Sequence, residues 1–206
     1  MISIIDYGAG NLQSVEKALR FLGCDCGVTV EPQQLLEADA AILPGVGSFG
    51  DALDHLRARG FERPIREFIS SGRPFLGICL GLQILFEESE ESPGIQGLGI
   101  LRGKIVRLPK ESGLKIPHIG WNSLDIKKRD PLFEGLPVEP YVYFVHSYYL
   151  QAEEDIVTAT AEYGATIHAA VRKGNLMACQ FHPEKSGKTG LTILENFAAM
   201  VAQKGE

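Results

Sequence analysis

The segment that most constrains this chain runs Phe75-Leu76-Gly77-Ile78-Cys79-Leu80-Gly81. An apolar run ends in a cysteine held between two glycines. This is the pattern of a nucleophile elbow, with cysteine in place of serine. It prescribes a strand, a sharp turn and a helix in immediate succession, with the nucleophile strained on the turn. Gly77 and Gly81 remove side chains that would collide there. Cys79 then lies at a helix N-terminus, where partial positive charge favours thiolate over thiol. The plainer alternative is an inert core cysteine near a strand end.

A second motif, Gln180-Phe181-His182-Pro183-Glu184, follows the apolar run 176–179. In an extended segment residues i and i+2 face the same side, so His182 and Glu184 can point into one site. Pro183 stiffens the link between them. A cysteine nucleophile needs a base to take its proton, and the base needs a third group to hold its tautomer. Cys79, His182 and Glu184 supply those roles in chain order. The alternative is a histidine capping a strand end beside an incidental surface glutamate.

The rest of the first half alternates strand and helix. Strands are expected at 2–6, 27–30, 40–43 and 74–78. Helices are expected at 12–22, 33–37, 49–59, 63–70 and 80–88, from apolar residues at helical spacing and stops such as Gly23. Repeated strand–helix units imply a parallel sheet covered on both faces. The second half reads as strands at 103–108, 122–126, 141–150, 156–161, 166–172 and 176–181, then a helix at 189–203. The expected class is therefore α/β. Its central sheet is mostly parallel, with helices on both faces and antiparallel strands in the second half. Residues 1–206 make one domain, since no repeat, linker or low-complexity segment divides them.

Composition narrows the partners. The formal net charge is −6, which argues against a nucleic-acid partner, since such a partner needs a basic face. The cysteines at 24, 26, 79 and 179 contain no Cys-x-x-Cys pair, so no zinc pattern and no metal are expected. Apolar Met1-Ile2-Ser3-Ile4-Ile5 is too short for a leader and lacks a basic start. No run approaches a membrane span. A soluble, cytoplasmic chain without a membrane partner is expected.

The loop Pro44-Gly45-Val46-Gly47-Ser48-Phe49-Gly50 is formally a G-x-G-x-x-G. A dinucleotide reading is weak here. Pro44 intrudes, the strand is not the first, and no acid ends a following strand at the required distance. No cofactor is expected.

The cysteine elbow, the later His-x-Glu and the Pro44–Gly47 loop together resemble the triad (class I) glutamine amidotransferases. Finer stretches resemble one branch of that family, the glutaminase subunits of imidazole glycerol phosphate synthases. They are Asp6-Tyr7-Gly8-Ala9-Gly10-Asn11-Leu12, Pro117-His118-Ile119-Gly120-Trp121-Asn122, Tyr143-Phe144-Val145-His146-Ser147-Tyr148 and His182-Pro183-Glu184-Lys185-Ser186. The resemblance covers essentially the whole chain. It implies a glutaminase that hydrolyses glutamine and passes ammonia to a cyclase. That partner is a (β/α)₈ barrel docked over the site, and the pathway is histidine biosynthesis. Another triad glutaminase, such as the one serving pyridoxal phosphate synthesis, would share the triad but lack the finer stretches. A non-catalytic scaffold would not need an intact triad.

Acyl transfer needs an oxyanion hole. One donor is expected from the Leu80 backbone N–H, directly after the nucleophile, and another from Val46 or Gly47. Gln83 lies one helical turn beyond Cys79 and shares its face. By resemblance, Gln83, Glu91, His146, Ser147 and Tyr148 contact the glutamine. For Glu91 a solvated acid, and for His146 a satisfied strand histidine, remain alternatives. Asn11, Trp121, Tyr143 and Lys185 match positions facing the partner, with a core aromatic as the alternative for Trp121.

Overall fold

The computed structural model describes residues 1–110 and 113–202. The expected helix 189–203 reaches one residue outside that range. The first half runs β1 (Ile2–Ile5), α1 (Leu12–Phe21), β2 (Cys26–Thr29), α2 (Pro32–Leu35), β3 (Ala40–Gly45), α3 (Phe49–Ala58), α4 (Glu62–Ser70), β4 (Phe75–Cys79) and α5 (Leu80–Gln83). The second half runs β5 (Glu88–Ser89), β6 (Gly103–Arg107), β7 (His118–Ser123), β8 (Asp125–Ile126), β9 (Tyr141–His146), β10 (Tyr148–Ala152), β11 (Val157–Glu162), β12 (Thr166–Lys173), β13 (Leu176–Cys179) and α6 (Gly187–Ala202). The central sheet has the order β2-β1-β3-β4-β13-β12-β11-β8. Strands β2, β1, β3, β4 and β13 are parallel, and β12, β11 and β8 continue the sheet antiparallel. The expected α/β class, with antiparallel strands added by the second half, is the observed one.

Apolar runs in the parallel strands have a simple cause: both faces are covered. Ile4, Ile42, Leu76 and Met177 pack with Val15 and Leu19 of α1 and Phe197 of α6. Their neighbours Ile5, Leu43, Phe75 and Ala178 point the other way, toward Leu35, Leu53 and Phe68 of α2, α3 and α4. The alternation has the two-residue period of a strand, with apolar contacts on either side.

Three expected elements differ. The helix after the elbow stops at Gln83 rather than continuing to 88. The carbonyls of Ile84, Leu85 and Phe86 instead accept bonds from Leu98, Ile100 and Gly99, so a returning loop takes the place of the next helical turn. The expected strand 141–150 is two strands. It changes partners at Ser147, with β9 pairing with β7 and β10 with β6. Strand β7 begins at His118, ahead of the expected 122. It forms a two-stranded ribbon with β9, and its Ile119 and Trp121 are exposed, so it carries no buried alternation to read.

Candidate active site

Strand β4 lies between β3 and β13 and ends at the nucleophile candidate. Cys79 has φ 55° and ψ −109°. Among the described residues it is the one non-glycine with positive φ, a conformation that costs an L-residue energy and persists only when its surroundings enforce it. The enforcement is steric. A Cβ on Gly81 would lie 1.8 Å from the Leu43 carbonyl oxygen, and one on Gly77 would lie 2.7 Å from the Gly81 oxygen. The turn is pressed onto β3 with no room for a methyl group. Helix α5 is a single turn, so the elbow rests on this packing more than on a long helix dipole.

Cys79 opens onto a cavity of about 420 Å³, whose wall includes Val46, Gly47, Leu80 and Gln83. Glu91, His146, Ser147 and Tyr148 line it too, as do His182 and Lys185. The expected nucleophile, base, oxyanion loop and substrate contacts therefore share one cavity. Glu184 stands behind His182, and Asn11, Trp121 and Tyr143 do not line the cavity. Gly47 has φ +102° with open space where a side chain would be, so its glycine serves conformation rather than packing.

His182 is clamped through its backbone. Its N–H donates to the Tyr143 carbonyl at 2.9 Å, and Ser186 Oγ donates to its carbonyl at 2.6 Å. Tyr143 N–H in turn donates to Ser186 Oγ at 2.9 Å. The side chain is almost wholly buried, and its Nδ1 lies 2.8 Å from Glu184 Oε1. A carboxylate accepts, so Nδ1 donates to it and Nε2 is the nitrogen left over. Nε2 has no hydrogen-bond partner in the free site. Burial pulls the imidazole down, but the Cys79 side chain and the Glu184 carboxylate outweigh it and push it up to about 9. At neutral pH the site holds an imidazolium beside the sulfur.

A pair of buried, neutral histidines stands at another part of the site. His146 Nδ1 donates to the Tyr148 carbonyl at 2.9 Å, which leaves Nε2 to accept from His118 Nδ1 at 3.0 Å. His118 stacks on Tyr163 and Phe144. Burial pushes both imidazoles down to about 4, so both are uncharged. Glu91 lines the cavity and also holds the start of α3, where its Oε2 accepts from the Phe49 N–H at 2.8 Å. Ser92 Oγ takes the Gly50 N–H beside it. The donors a dinucleotide phosphate would use are thus occupied, one by a carboxylate that would repel it.

Four residues near the rim bear on docking. Trp121 is 55% exposed, so it is not a core aromatic. It sits opposite Tyr143 across β7 and β9, with ring centroids 6.1 Å apart. Lys185 is exposed in the 3-10 turn Pro183–Lys185, and α1, which Asn11 precedes, packs against that turn. Sequence reasoning assigned no role to Gln180, Ser186 or Tyr7. Gln180 Nε2 lies 3.7 Å from Cys79 Sγ. The buried Tyr7 hydroxyl faces Gly45, and burial and the nearby Cys79 push it up from its usual value. The two-residue period that singled out Glu184 also points to Gln180, two positions before His182. Among the described residues no three His, Cys, Asp or Glu side chains gather as a metal site, and no helix is long and apolar enough to cross a membrane.

A buried thiol on a strained elbow, an imidazole fixed by a carboxylate and a glycine loop across the cavity are the parts of an acyl-transfer site. The glutamine amidotransferase class-I family matches residues 3–201, and the chain belongs to that family. Imidazole glycerol phosphate synthase subunit HisH of Syntrophotalea carbinolica is 54% identical over 206 residues, spanning 97% of this chain and 100% of that protein. The protein of the same name from Bacillus subtilis is 50% identical over 209 residues, spanning 99% and 98%. A crystal structure of a glutamine amidotransferase superposes with a TM-score of 0.76 at 21% identity, covering 98% of each chain. The PurLQS structure from Thermotoga maritima gives 0.75 at 22%, covering 95% of this chain and 96% of that one. These two similarities concern the fold.

Proposed function

We propose that this chain is the glutaminase subunit of an imidazole glycerol phosphate synthase, with Cys79, His182 and Glu184 as its triad. The relatives at 50–54% identity over almost the whole chain support the subunit assignment. The observation that carries the triad is the single cavity holding the strained Cys79 and the Glu184-bound His182. The apolar cores on the two faces of one sheet support a single domain.

Glutamine hydrolysis then proceeds by acyl transfer. The Cys79 thiolate attacks the side-chain amide carbon, and the developing oxyanion is met by the Leu80 N–H and a donor from Val46 or Gly47. The C–N bond breaks as His182 gives its proton to the leaving nitrogen, releasing ammonia and leaving a thioester. Water attacks the thioester, His182 takes its proton, and glutamate departs. Glu184 holds the imidazole and stabilises its cation without taking the proton. Gln83, Glu91, Ser147 and Tyr148 grip the substrate, and His146, whose ring nitrogens are both taken within the protein, contributes through its backbone. Gln83 offers its carbonyl oxygen, because its nitrogen already donates twice within the protein.

Ammonia released into water would be lost, so a cyclase subunit receives it. That subunit is a (β/α)₈ barrel seated against Asn11, Trp121, Tyr143 and Lys185. An exposed tryptophan beside a tyrosine fits an interface anchor. The partnership is tested by glutamate release from the chain alone, with the cyclase, and with the cyclase and its nucleotide ligand. A misdirected loop N–H is worth roughly 10²–10³ in kcat, so liganded cyclase raises kcat more than it lowers KM. Equal kcat in all three conditions would show that the liganded cyclase does not turn a Val46 or Gly47 N–H toward the oxyanion. Cyclase turnover with ammonium salt that fails to recover with glutamine plus this chain removes the assignment.

A further inference from the structure

The polar groups behind the nucleophile form one directed chain of hydrogen bonds. A backbone carbonyl fixes its direction, because the Tyr148 oxygen can only accept. Gln83 Nε2 lies 3.1 Å from that oxygen, so Gln83 must present its NH₂ there. The same nitrogen reaches Gln180 Oε1 at 3.0 Å. Gln180 has its own NH₂ left over, aimed at Cys79 Sγ from 3.7 Å. Turning Gln83 over would set oxygen against the Tyr148 oxygen. Turning Gln180 over would set nitrogen against the Gln83 nitrogen. The network therefore permits one orientation of each amide. Gln180 is fully buried and Gln83 nearly so, which makes loss of any of these bonds costly.

We propose that Gln180 is a positioning residue for the nucleophile, its amide N–H holding Cys79 Sγ in place and favouring thiolate over thiol. The inference rests on Cys79 being the nucleophile and deepens that reading. Gln180 does not line the cavity, so it reaches the substrate only indirectly, through the sulfur or through Gln83, and the ionisation of the thiol reports the first route alone. A donor aimed at a group that ionises to an anion stabilises the anion. Gln83 then has a second duty besides gripping substrate: with the Tyr148 carbonyl it locks the Gln180 amide. The other titratable groups around Cys79 are His182 with Glu184 behind it, Tyr7 after β1, Cys179 on β13, His146 at the end of β9, and Glu91, Tyr148 and Lys185 in the wall of the same cavity. Substituting Gln180 leaves all of them in place.

The test is alkylation of the full chain by iodoacetamide across pH, with mass spectrometry following Cys79 separately from Cys24, Cys26 and Cys179. In Gln180→Met, alkylation of Cys79 below the half-rise pH is expected to be about tenfold slower, and the half-rise moves up by about one pH unit. Gln180→Glu, which turns a donor into an acceptor, moves it further. Gln83→Met moves it in the same direction by less, since it only unlocks the Gln180 amide. A Gln180→Met profile that superimposes on wild type overturns the proposal, even if glutamine hydrolysis has fallen, because a merely structural amide would not shift thiol ionisation. If Gln180→Met does not give a cooperatively melting protein, Gln83→Met decides, and an unchanged profile there overturns the proposal. Because alkylation requires no glutamine turnover, this result is separate from the nucleophile assignment, which fails if Cys79→Ala retains glutaminase activity.

Discussion

The two sides of the cavity are held by different forces. The elbow that carries Cys79 is held by atoms that are missing: Gly77 and Gly81 let backbone press on backbone, and β4 is paired on both edges. The turn that carries His182 and Glu184 is held by hydrogen bonds, from Tyr143 on β9 and from Ser186. Packing of this kind has no partial state, so the elbow is either formed or lost. Hydrogen bonds can be cut one at a time, so the turn can loosen by degrees. The proposed nucleophile therefore rests on steric packing, and the proposed base on separable hydrogen bonds.

The largest expected effects set the baseline for that contrast. Cys79→Ala should lower kcat by at least ~10³-fold while folding and cyclase binding persist. His182→Ala should be nearly as damaging, and Glu184→Gln milder. Groups that act as a unit are not additive, so Cys79→Ala/His182→Ala should be little worse than either single variant. Multiplicative losses in steady-state assays would show two independent residues.

Gly81→Ala probes the elbow itself. A methyl group cannot share space with the Leu43 carbonyl, so stability should fall by more than about 3 kcal/mol in denaturant melts. A variant of wild-type stability would mean that the turn is not held by this contact. Ser186→Ala probes the other side. It removes two hydrogen bonds that bracket His182, so about 1–2 kcal/mol should be lost. The chain should still fold, with kcat reduced several-fold. An unfolded Ser186→Ala, or one with unchanged kcat, would erase the distinction between the two sides.

The buried histidines add a dependence on pH. The folded His182 is raised from 6.5 to about 9, so its contribution is complete below about 6.5 and is lost as pH rises through about 9. His118 and His146 are lowered to about 4, so theirs is complete above about 6.5 and is lost as pH falls toward 4. Melting temperatures should therefore fall on both sides of neutrality. His118→Gln, which keeps a donor for His146, should lessen the acid-side loss, and His182→Ala should lessen the alkaline-side loss. Wild-type melting that does not change between pH 5 and 7.5 would contradict the buried neutral pair.

Much of the elbow was legible because its causes are local. Glycine spacing, an apolar run and a cysteine lie within seven consecutive residues, and steric exclusion between near neighbours shows directly in the sequence. The same holds for His182 and Glu184, which the period of an extended chain puts on one side. The ribbon β7–β9 was only partly legible. Most residues of β7 are exposed or half-buried, so that strand lacks the buried alternation that its partner β9 shows. The early end of α5 was hidden for a different reason, since the loop around Gly97–Leu101 takes the carbonyls of Ile84, Leu85 and Phe86, which follow it.

The sequence by itself determined the alternation of strand and helix, the strained turn at Cys79 and the pairing of His182 with Glu184, because each follows from near-neighbour sterics or periodicity. The tertiary structure decided what surrounds them. Only the folded sheet sets β13 beside β4 and so brings Gln180 to Cys79. Only the packing of α3 against the segment around Glu91 gives that carboxylate the Phe49 N–H. Hydrogen-bond direction is decided there too, because a glutamine side chain has no preferred orientation until a fixed carbonyl, here that of Tyr148, leaves it one way to turn.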